Sequence, residues 1–293
     1  MNEPGRDLPP EFDLDCYRAS NPDLAHLTDD QLPDHFHAVG ADEGRKASPV
    51  ADRAALVADL LGREQGRILE IGPFADPLIR GNKVRYHDAV PTEVLRARAA
   101  ASGLSPGLVP RIHYVGEIDA LARSFDAAVA GRSIGRHPDL IRHLEEVARV
   151  LVDGGRYFLV VPDRRFTSAL ALANASVAEM VAAHREGRRR HTLATVIADR
   201  ALRYDGDAGG HSGDDRESAS YDVRARKIGE VCAAYDRAPD DIDAEAWHFT
   251  PRSWRDCMEL LFATGLSPFR PVRVWSTPSG ADEFCTILEK ADR

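Results

Sequence analysis

The residues Arg67-Ile68-Leu69-Glu70-Ile71-Gly72-Pro73-Phe74-Ala75-Asp76-Pro77 decide the fold of this chain. They predict a buried strand that ends in an acidic residue and a glycine turn. Such a strand end suits a nucleotide-type cofactor, because a carboxylate binds a ribose and a ligand comes closest where the backbone carries no side chain. The glycines that usually follow in a cofactor loop are replaced here by Phe74 and Asp76.

Short apolar segments alternate with helical segments on both sides of this stretch. The pattern predicts helices at 51–61, 92–101, 139–151 and 250–264, and strands at 67–71, 84–87, 112–115, 125–130, 156–161, 269–275 and 283–288. Buried strands that alternate with helices indicate a parallel sheet covered on both faces. We therefore expect an α/β fold with a doubly wound, mostly parallel seven-stranded sheet that ends in an antiparallel hairpin.

The chain divides into two predicted units. Residues 1–48 read as a helical N-terminal appendage, which we expect to be a docking element, and residues 49–293 as the main domain. Within the main domain, 163–248 interrupts the alternation with helices at 168–189 and 192–203 and a polar loop. An insertion after strand five lies over the carboxyl ends of the strands, so it is a natural lid or substrate-recognition region.

Composition limits the partners. The net charge is −9, which argues against nucleic acid because phosphate binding needs a concentrated basic face. The one basic cluster, at 185–191, is interpreted as a solvated helix end, with an anion site as the alternative. No apolar run reaches the ~18 residues that cross a bilayer, and the N-terminus lacks a secretory pattern. We expect a cytoplasmic protein, and the sequence leaves a homodimer open.

Neither a zinc nor a disulfide framework is expected, because the four cysteines are far apart and none has CxxC spacing. The acidic run at 205–217 invites a calcium interpretation, since calcium needs several oxygen ligands. However, its spacing does not match an EF-hand loop, and a mobile acidic loop is the preferred interpretation. No metal ligands are therefore assigned.

An ordered series of motifs resembles the class I S-adenosylmethionine-dependent methyltransferases. The motifs are RILEIG at 67–72, the acid Asp88 after VRYH, FDAAVA at 125–130, LEEVARVLVDGGRYFLVVP at 144–162 and the terminal hairpin. A narrower resemblance is to a bacterial methyltransferase-domain subgroup whose first loop reads Glu-Ile-Gly-Pro. That subgroup usually has Ile-Glu-His after strand four, where this chain has Gly135 and Arg136, and a His before Ala-Trp-x-Phe-Thr-Pro, where this chain has Glu245.

The resemblance implies S-adenosylmethionine as cofactor. Glu70 organises the cofactor loop or, in the alternative, caps a turn; Gly72 allows close approach of the backbone; Asp88 accepts hydrogen bonds from the ribose. Further cofactor contacts are expected at strand ends, at Pro73, Phe74, Ile118, Gly131 and Arg132.

Methyl transfer needs alignment of the acceptor and, for an oxygen or nitrogen acceptor, removal of a proton. The candidate bases are His137 and His248, with Arg136 beside the first; the alternatives are a helix-entry residue and a packed core histidine. Asp163 and Arg165 follow strand five at the ligand end, where an arginine can hold an anionic substrate or form a surface ion pair.

The predicted activity is that of an enzyme that transfers a methyl group from S-adenosylmethionine to a small or medium-sized acceptor, such as a natural product or a sugar. Two rivals stay open: a repurposed catalyst on the same fold, for example a cyclase, and a non-catalytic binding or assembly subunit. Fold alone does not decide among them, and the sequence is silent on the acceptor and its reacting atom.

Overall fold

A seven-stranded sheet organises the computed structural model, which describes residues 8, 12–47, 53–63, 66–121, 125–204, 221–278 and 280–291. The strand order is β3-β2-β1-β4-β5-β7-β6. The strands are β1 Ile68–Ile71, β2 Val84–Asp88, β3 Tyr114–Val115, β4 Phe125–Gly131, β5 Leu151–Pro162, β6 Phe269–Val274 and β7 Glu283–Lys290.

The pairing confirms the predicted fold class. The neighbouring pairs among β1 to β5 are parallel, whereas β7 is antiparallel to both β5 and β6. The sheet is therefore mostly parallel with an antiparallel terminal hairpin. Regular pairing of β5 with β4 resumes at Arg156, after an irregularity that contains Gly154 and Gly155.

Helices cover both faces of the sheet, as the α/β alternation predicts. The α-helices of the described residues are α1 Leu14–Ser20, α2 Gln31–His35, α3 Arg53–Arg63, α4 Thr92–Ala101, α5 Leu140–Val150, α6 Val177–Arg185, α7 Leu193–Ala201, α8 Tyr221–Arg237 and α9 Pro251–Ala263. One core packs α5, α6 and α9 against the sheet, and a second lies on the opposite face with α3 and α4.

The connection between β1 and β2 differs from the usual crossover. Parallel strands are normally joined through a helix, but residues 72–83, all described, contain none. Pro73 and Pro77 lack the amide hydrogen that a helix interior uses. The carboxylate of Glu70 instead accepts hydrogen bonds from the amides of Leu78 and Ile79, so one side chain orders the loop.

The lid is built differently from the prediction. The single helix expected at 168–189 is wrong: a short 3₁₀ turn at Ser168–Ala171 is separated from α6. Ser176 starts α6 with a capping box to Glu179, a Ser-x-x-Glu signal that was readable in the sequence. Helix α8 was not predicted, and the acidic run at 205–217 lies outside the described residues.

The N-terminal helices have a small core of their own. Tyr17, Leu32 and Phe36 are buried there, and the Tyr17 hydroxyl lies 2.9 Å from Nδ1 of His35. Hydrogen bonds join this unit to the main domain, because the Arg165 guanidinium donates to the carbonyls of Ala41 and Asp42. The predicted boundary at residue 48 falls within a segment outside the described residues.

Candidate functional site

The candidate site lies at the carboxyl ends of the parallel strands. Open α/β sheets bind ligands at this edge, where the chain leaves the strands in loops. Gly72 follows β1, Asp88 ends β2 and Gly131 ends β4, and β1 pairs directly with both β2 and β4. The three central cofactor candidates therefore end neighbouring strands.

Glu70 acts on the loop through its carboxylate. Its side chain is buried, and Oε1 and Oε2 accept hydrogen bonds from the amides of Leu78 at 2.6 Å and Ile79 at 3.2 Å. Burial raises the pKa of Glu70 to about 7, and the two amide hydrogen bonds oppose that rise. The contacts seen are those of the turn-capping alternative, and a role toward a cofactor stays a prediction.

The turn after β1 uses left-handed backbone at two positions. Gly72 has a φ of +66°, and Phe74, an uncommon residue for this region, has a φ of 41°. A Cβ added to Gly72 would lie 3.1 Å from Cβ of Ser133, so this glycine lets the loops after β1 and β4 touch. Pro73 is buried, and Phe74 packs against the core beside α3 and α4.

Asp88 presents a carboxylate at the end of β2. It is partly buried, and Oδ1 accepts a hydrogen bond of 3.2 Å from the amide of Val90. Burial raises the pKa of this carboxyl, and the Val90 amide opposes the rise. Ile118, in contrast, directs its side chain into the core beneath α5, which leaves only its backbone for a ligand.

The loop after β4 is fixed by an ion-pair network. Arg132, with a φ of 57°, donates to Asp282 at 2.9 and 3.0 Å and to Glu283 at 2.9 Å. Glu283 also receives a two-bond contact from Arg53 of α3, with both distances at 2.9 Å, and Arg53 contacts Asp76 as well. The guanidinium of Arg132 is therefore directed to the terminal hairpin.

The two departures from the subgroup pattern meet in space. The carbonyl of Gly135 accepts hydrogen bonds from the amides of Ala246 at 2.7 Å and Trp247 at 3.1 Å. A Cβ on Gly135 would lie 2.6 Å from the carbonyl oxygen of Trp247 and 3.1 Å from Oε1 of Glu245. The Glu245 side chain therefore occupies the space into which a side chain at position 135 would project.

Glu245 belongs to a charged cluster that the sequence did not reveal. Its Oε2 accepts a hydrogen bond of 2.5 Å from Arg203, which also pairs with Asp199 on α7 at 2.5 Å. The His248 ring is buried, with Nδ1 at 4.0 Å from the same carboxylate oxygen. Burial lowers the pKa of His248, and the charge of Glu245 opposes this.

His137 is turned toward other histidines. Its ring stacks on that of His143, with centroids 3.5 Å apart, and its Nε2 is buried without a hydrogen-bond partner among the described residues. Burial lowers the pKa of His137 to about 3, and neighbouring His87 and His191 add to the effect. Within the described part of the chain, no three His, Cys, Asp or Glu side chains form a group that could hold a metal ion.

The remaining candidates make contacts that join segments of the chain. Arg136 pairs with Asp243 at 2.8 Å, with both side chains about half exposed. Asp163 is fully buried and accepts hydrogen bonds from Arg165 at 2.7 Å and Thr277 at 2.6 Å. Arg165 thus links β5 to the N-terminal unit through an ion pair with a buried carboxylate.

The β2–β3 half of this edge fits the adenosine part of S-adenosylmethionine. The Asp88 carboxylate can accept hydrogen bonds from ribose hydroxyls. A Cβ on Gly116, after β3, would meet no atom within 4 Å, so the backbone there is open to a ligand. The space beside Gly72 is narrower than that beside Gly116, because the Ser133 side chain lies next to Gly72.

The strand order, the reversed β7 and the acid that ends β2 are the expected features in the expected places. The fold is that of the class I S-adenosylmethionine-dependent methyltransferases. No protein-family model and no curated protein matches the chain.

Solved structures with a similar fold include methyltransferases. An S-adenosylmethionine-dependent methyltransferase from Mesorhizobium loti has 15% identity and a TM-score of 0.39, with 80% of this chain and 95% of that chain covered. A putative S-adenosylmethionine-dependent methyltransferase from Methanococcus maripaludis has 12% identity and a TM-score of 0.37, with 90% of this chain and 92% of that chain covered. The [4+2]-cyclase SpnF has 18% identity and a TM-score of 0.33, with 82% of this chain and 80% of that chain covered. The strand order of the chain itself, not these likenesses, establishes the methyltransferase fold.

The contact between Arg203 and Glu245 in the lid had no signal in the sequence. The two residues are 42 positions apart, and their contact depends on how α7 packs. The contacts of Asp282 and Glu283 in the terminal hairpin could not be predicted from the sequence either.

No helix in the described ranges is both long enough and apolar enough to cross a membrane.

Proposed function

We propose that the chain transfers a methyl group from S-adenosylmethionine to a small or medium-sized acceptor. The observation that carries the proposal is Asp88, a partly buried carboxylate at the end of β2 beside the glycine turn that ends β1. In a sheet of this topology, a strand-end acid is suited to bind a ribose. Cofactor, acceptor and site residues are all part of this proposal.

Each residue has a limited task in the proposed reaction. S-adenosylmethionine supplies an activated methyl group when bound. Asp88 accepts hydrogen bonds from the ribose, and Glu70 holds the loop after β1 through the amides of Leu78 and Ile79. The protein then has to align the acceptor and exclude water.

His248 is the preferred base for an oxygen or nitrogen acceptor. Phe249, the next residue, forms a parallel bridge with Asp163, which places this segment at the carboxyl end of β5. The lowered pKa of His248 keeps the imidazole neutral and able to take a proton at neutral pH. Glu245 would stabilise the imidazolium formed. The ring of His137 is stacked on His143, so His137 is the weaker candidate.

Calorimetric titration with S-adenosylmethionine and S-adenosylhomocysteine tests this proposal. We expect both to bind, and a small-molecule extract to accept a labelled methyl group. Absence of binding by either compound would leave the non-catalytic subunit as the better account. Binding without transfer to any extract component would favour the repurposed catalyst. The cytoplasmic location and the homodimer stay predictions.

The base is tested separately with His248→Asn. We expect this variant to bind S-adenosylhomocysteine like the unmodified protein and to transfer methyl groups at least ten-fold more slowly. A full transfer rate in His248→Asn would exclude His248 as the base, while leaving the cofactor assignment intact.

A further inference from the structure

A cavity of about 710 Å³ lies beside the candidate cofactor edge. Helix α3 forms one wall with Ala54, Val57 and Ala58, and the loop after β1 forms another with Pro77 and Leu78. Sites for drug-sized ligands have volumes of roughly 300–1,000 Å³ and mostly apolar walls. The size and the lining of this cavity therefore suit a small organic molecule.

The cavity adjoins the end of β4 through Leu78. A Cβ built on Gly131 would lie 3.2 to 3.6 Å from the side-chain carbons of Leu78, so the same side chain lines the cavity and covers the strand end. On the other side, Pro278, Ala281 and Cys285 of the terminal hairpin complete the lining. A molecule held here would thus lie next to the loops that follow β1 and β4.

The charges at the wall of the cavity compensate each other. Arg53 and Glu283 both line it, and the guanidinium donates two hydrogen bonds of 2.9 Å to the two carboxylate oxygens. Two-bond pairs of this kind are strong and directional. Glu283 also accepts from Arg132, and Arg53 contacts Asp76. A charged ligand would have to compete with these partners, whereas a neutral ligand would not.

We propose that this cavity binds the neutral, largely apolar part of the methyl acceptor. The acceptor role rests on the proposed methyltransferase function, but the binding site itself does not. The ligand class follows from the apolar walls formed by α3 and the loop after β1, together with the compensated ion pair at Glu283. An anionic acceptor group is excluded from this cavity by the same pair.

Two fluorescent probes with one ring system test the ligand class. N-phenyl-1-naphthylamine is neutral, and 8-anilino-1-naphthalenesulfonate is its sulfonate. We expect the neutral probe to bind at one saturable site with about ten-fold higher affinity than the anion, because a sulfonate here would lack a free cation. Equal or tighter binding of the anion would overturn the assignment to a neutral ligand.

Variants locate the probe. Ala58→Trp fills the cavity from the exposed side of α3, and we expect it to weaken binding of the neutral probe at least ten-fold. Ala97→Trp, at an exposed position of α4, is the matched control and should leave the affinity unchanged. No saturable binding, or the same affinity in both variants, would overturn the proposed site. In Glu283→Gln we expect the preference to shift toward the anion, since two guanidinium groups lose a carboxylate partner.

Titration with S-adenosylhomocysteine separates this proposal from the proposed function. If the probe binds and S-adenosylhomocysteine does not, the cavity stands and the methyltransferase function fails. If S-adenosylhomocysteine binds and the probe does not, the cavity proposal alone fails.

Discussion

The loops that follow β1 and β4 lie side by side, but they are held in different ways. The loop after β1 is held mainly from its own strand, because Glu70 binds the amides of Leu78 and Ile79, and Arg53 of α3 adds a pair with Asp76. The loop after β4 is ordered from outside, since Arg132 bonds to Asp282 and Glu283 and Gly135 packs on a segment more than a hundred residues away.

This difference explains why the contacts of the loop after β1 are easier to anticipate from neighbouring residues than those of the loop after β4. A loop that depends on distant segments changes its role when those segments change, and Gly135 with Glu245 is such a pair.

The largest effect is expected from restoring the subgroup residue with Gly135→Glu. Its Cβ would lie 2.6 Å from the carbonyl oxygen of Trp247, and its carboxylate would compete with that of Glu245. Overpacking together with a buried like charge should cost about 4 kcal/mol in the free energy of unfolding, measured by urea denaturation.

The matched control is Gly229→Glu on α8, where an added Cβ would meet no atom within 4 Å. It should be neutral or slightly stabilising, because glycine is a poor helix former. In Gly135→Glu/Glu245→Ala we expect part of the loss to be recovered. Additive effects of the two substitutions would show that these residues do not share one space.

Glu70 should give the next largest effect, as a dependence of stability on pH. Its pKa in the folded protein is about 7, above the ordinary 4.5, so the stability that the protonated group confers is present below pH 4.5 and is lost as the pH rises through 7. Relative to Glu70→Gln, the unfolding free energy should fall by about 3 kcal/mol between pH 4.5 and 7.

Denaturation curves at several pH values measure this difference, with exposed Glu93→Gln on α4 as the control. A constant difference between the unmodified protein and Glu70→Gln would mean that the pKa of Glu70 is not raised in the folded protein. The loop after β1 would then be held by a charged group.

The histidine stack should respond to pH in the opposite direction. The pKa of His137 is lowered to about 3, so its neutral form contributes stability above pH 6.5 that is lost as the pH falls toward 3. Relative to His137→Phe, we expect the unfolding free energy to fall by about 2 kcal/mol between pH 6.5 and 5.

Exposed His26→Phe is the control for this titration. His143, His87 and His191 also have pKa values lowered by burial, so some acid sensitivity should persist in His137→Phe. An unchanged pH profile in that variant would show that the His137 ring is open to solvent in solution.

The smallest effect is expected on cofactor affinity. Hydrogen bonds to a charged group contribute about 1.5–3 kcal/mol, so Asp88→Ala should weaken binding of S-adenosylhomocysteine about ten-fold or more. Calorimetry measures the change, and exposed Asp236→Ala on α8 serves as the control. Equal affinities for Asp88→Ala and the unmodified protein would remove the ribose contact from the proposal.

The sheet and the order of its elements could be predicted from the amino-acid pattern. A parallel sheet is covered by helices on both faces, so its strands are short apolar runs and its helices carry an apolar stripe. Both patterns can be recognised within a few neighbouring residues. The strand ends at Glu70, Gly72 and Asp88 could be located for the same reason, since each is read from a few neighbouring residues.

The contacts around the loop after β4 and in the lid follow from tertiary packing instead. The pairing of Arg203 with Glu245, of Arg132 with the hairpin acids and of His137 with His143 joins segments that no local pattern connects. Such contacts depend on how helices pack over the sheet. For that reason the loop after β1 could be interpreted from its own residues, whereas the loop after β4 took its meaning from the residues packed against it.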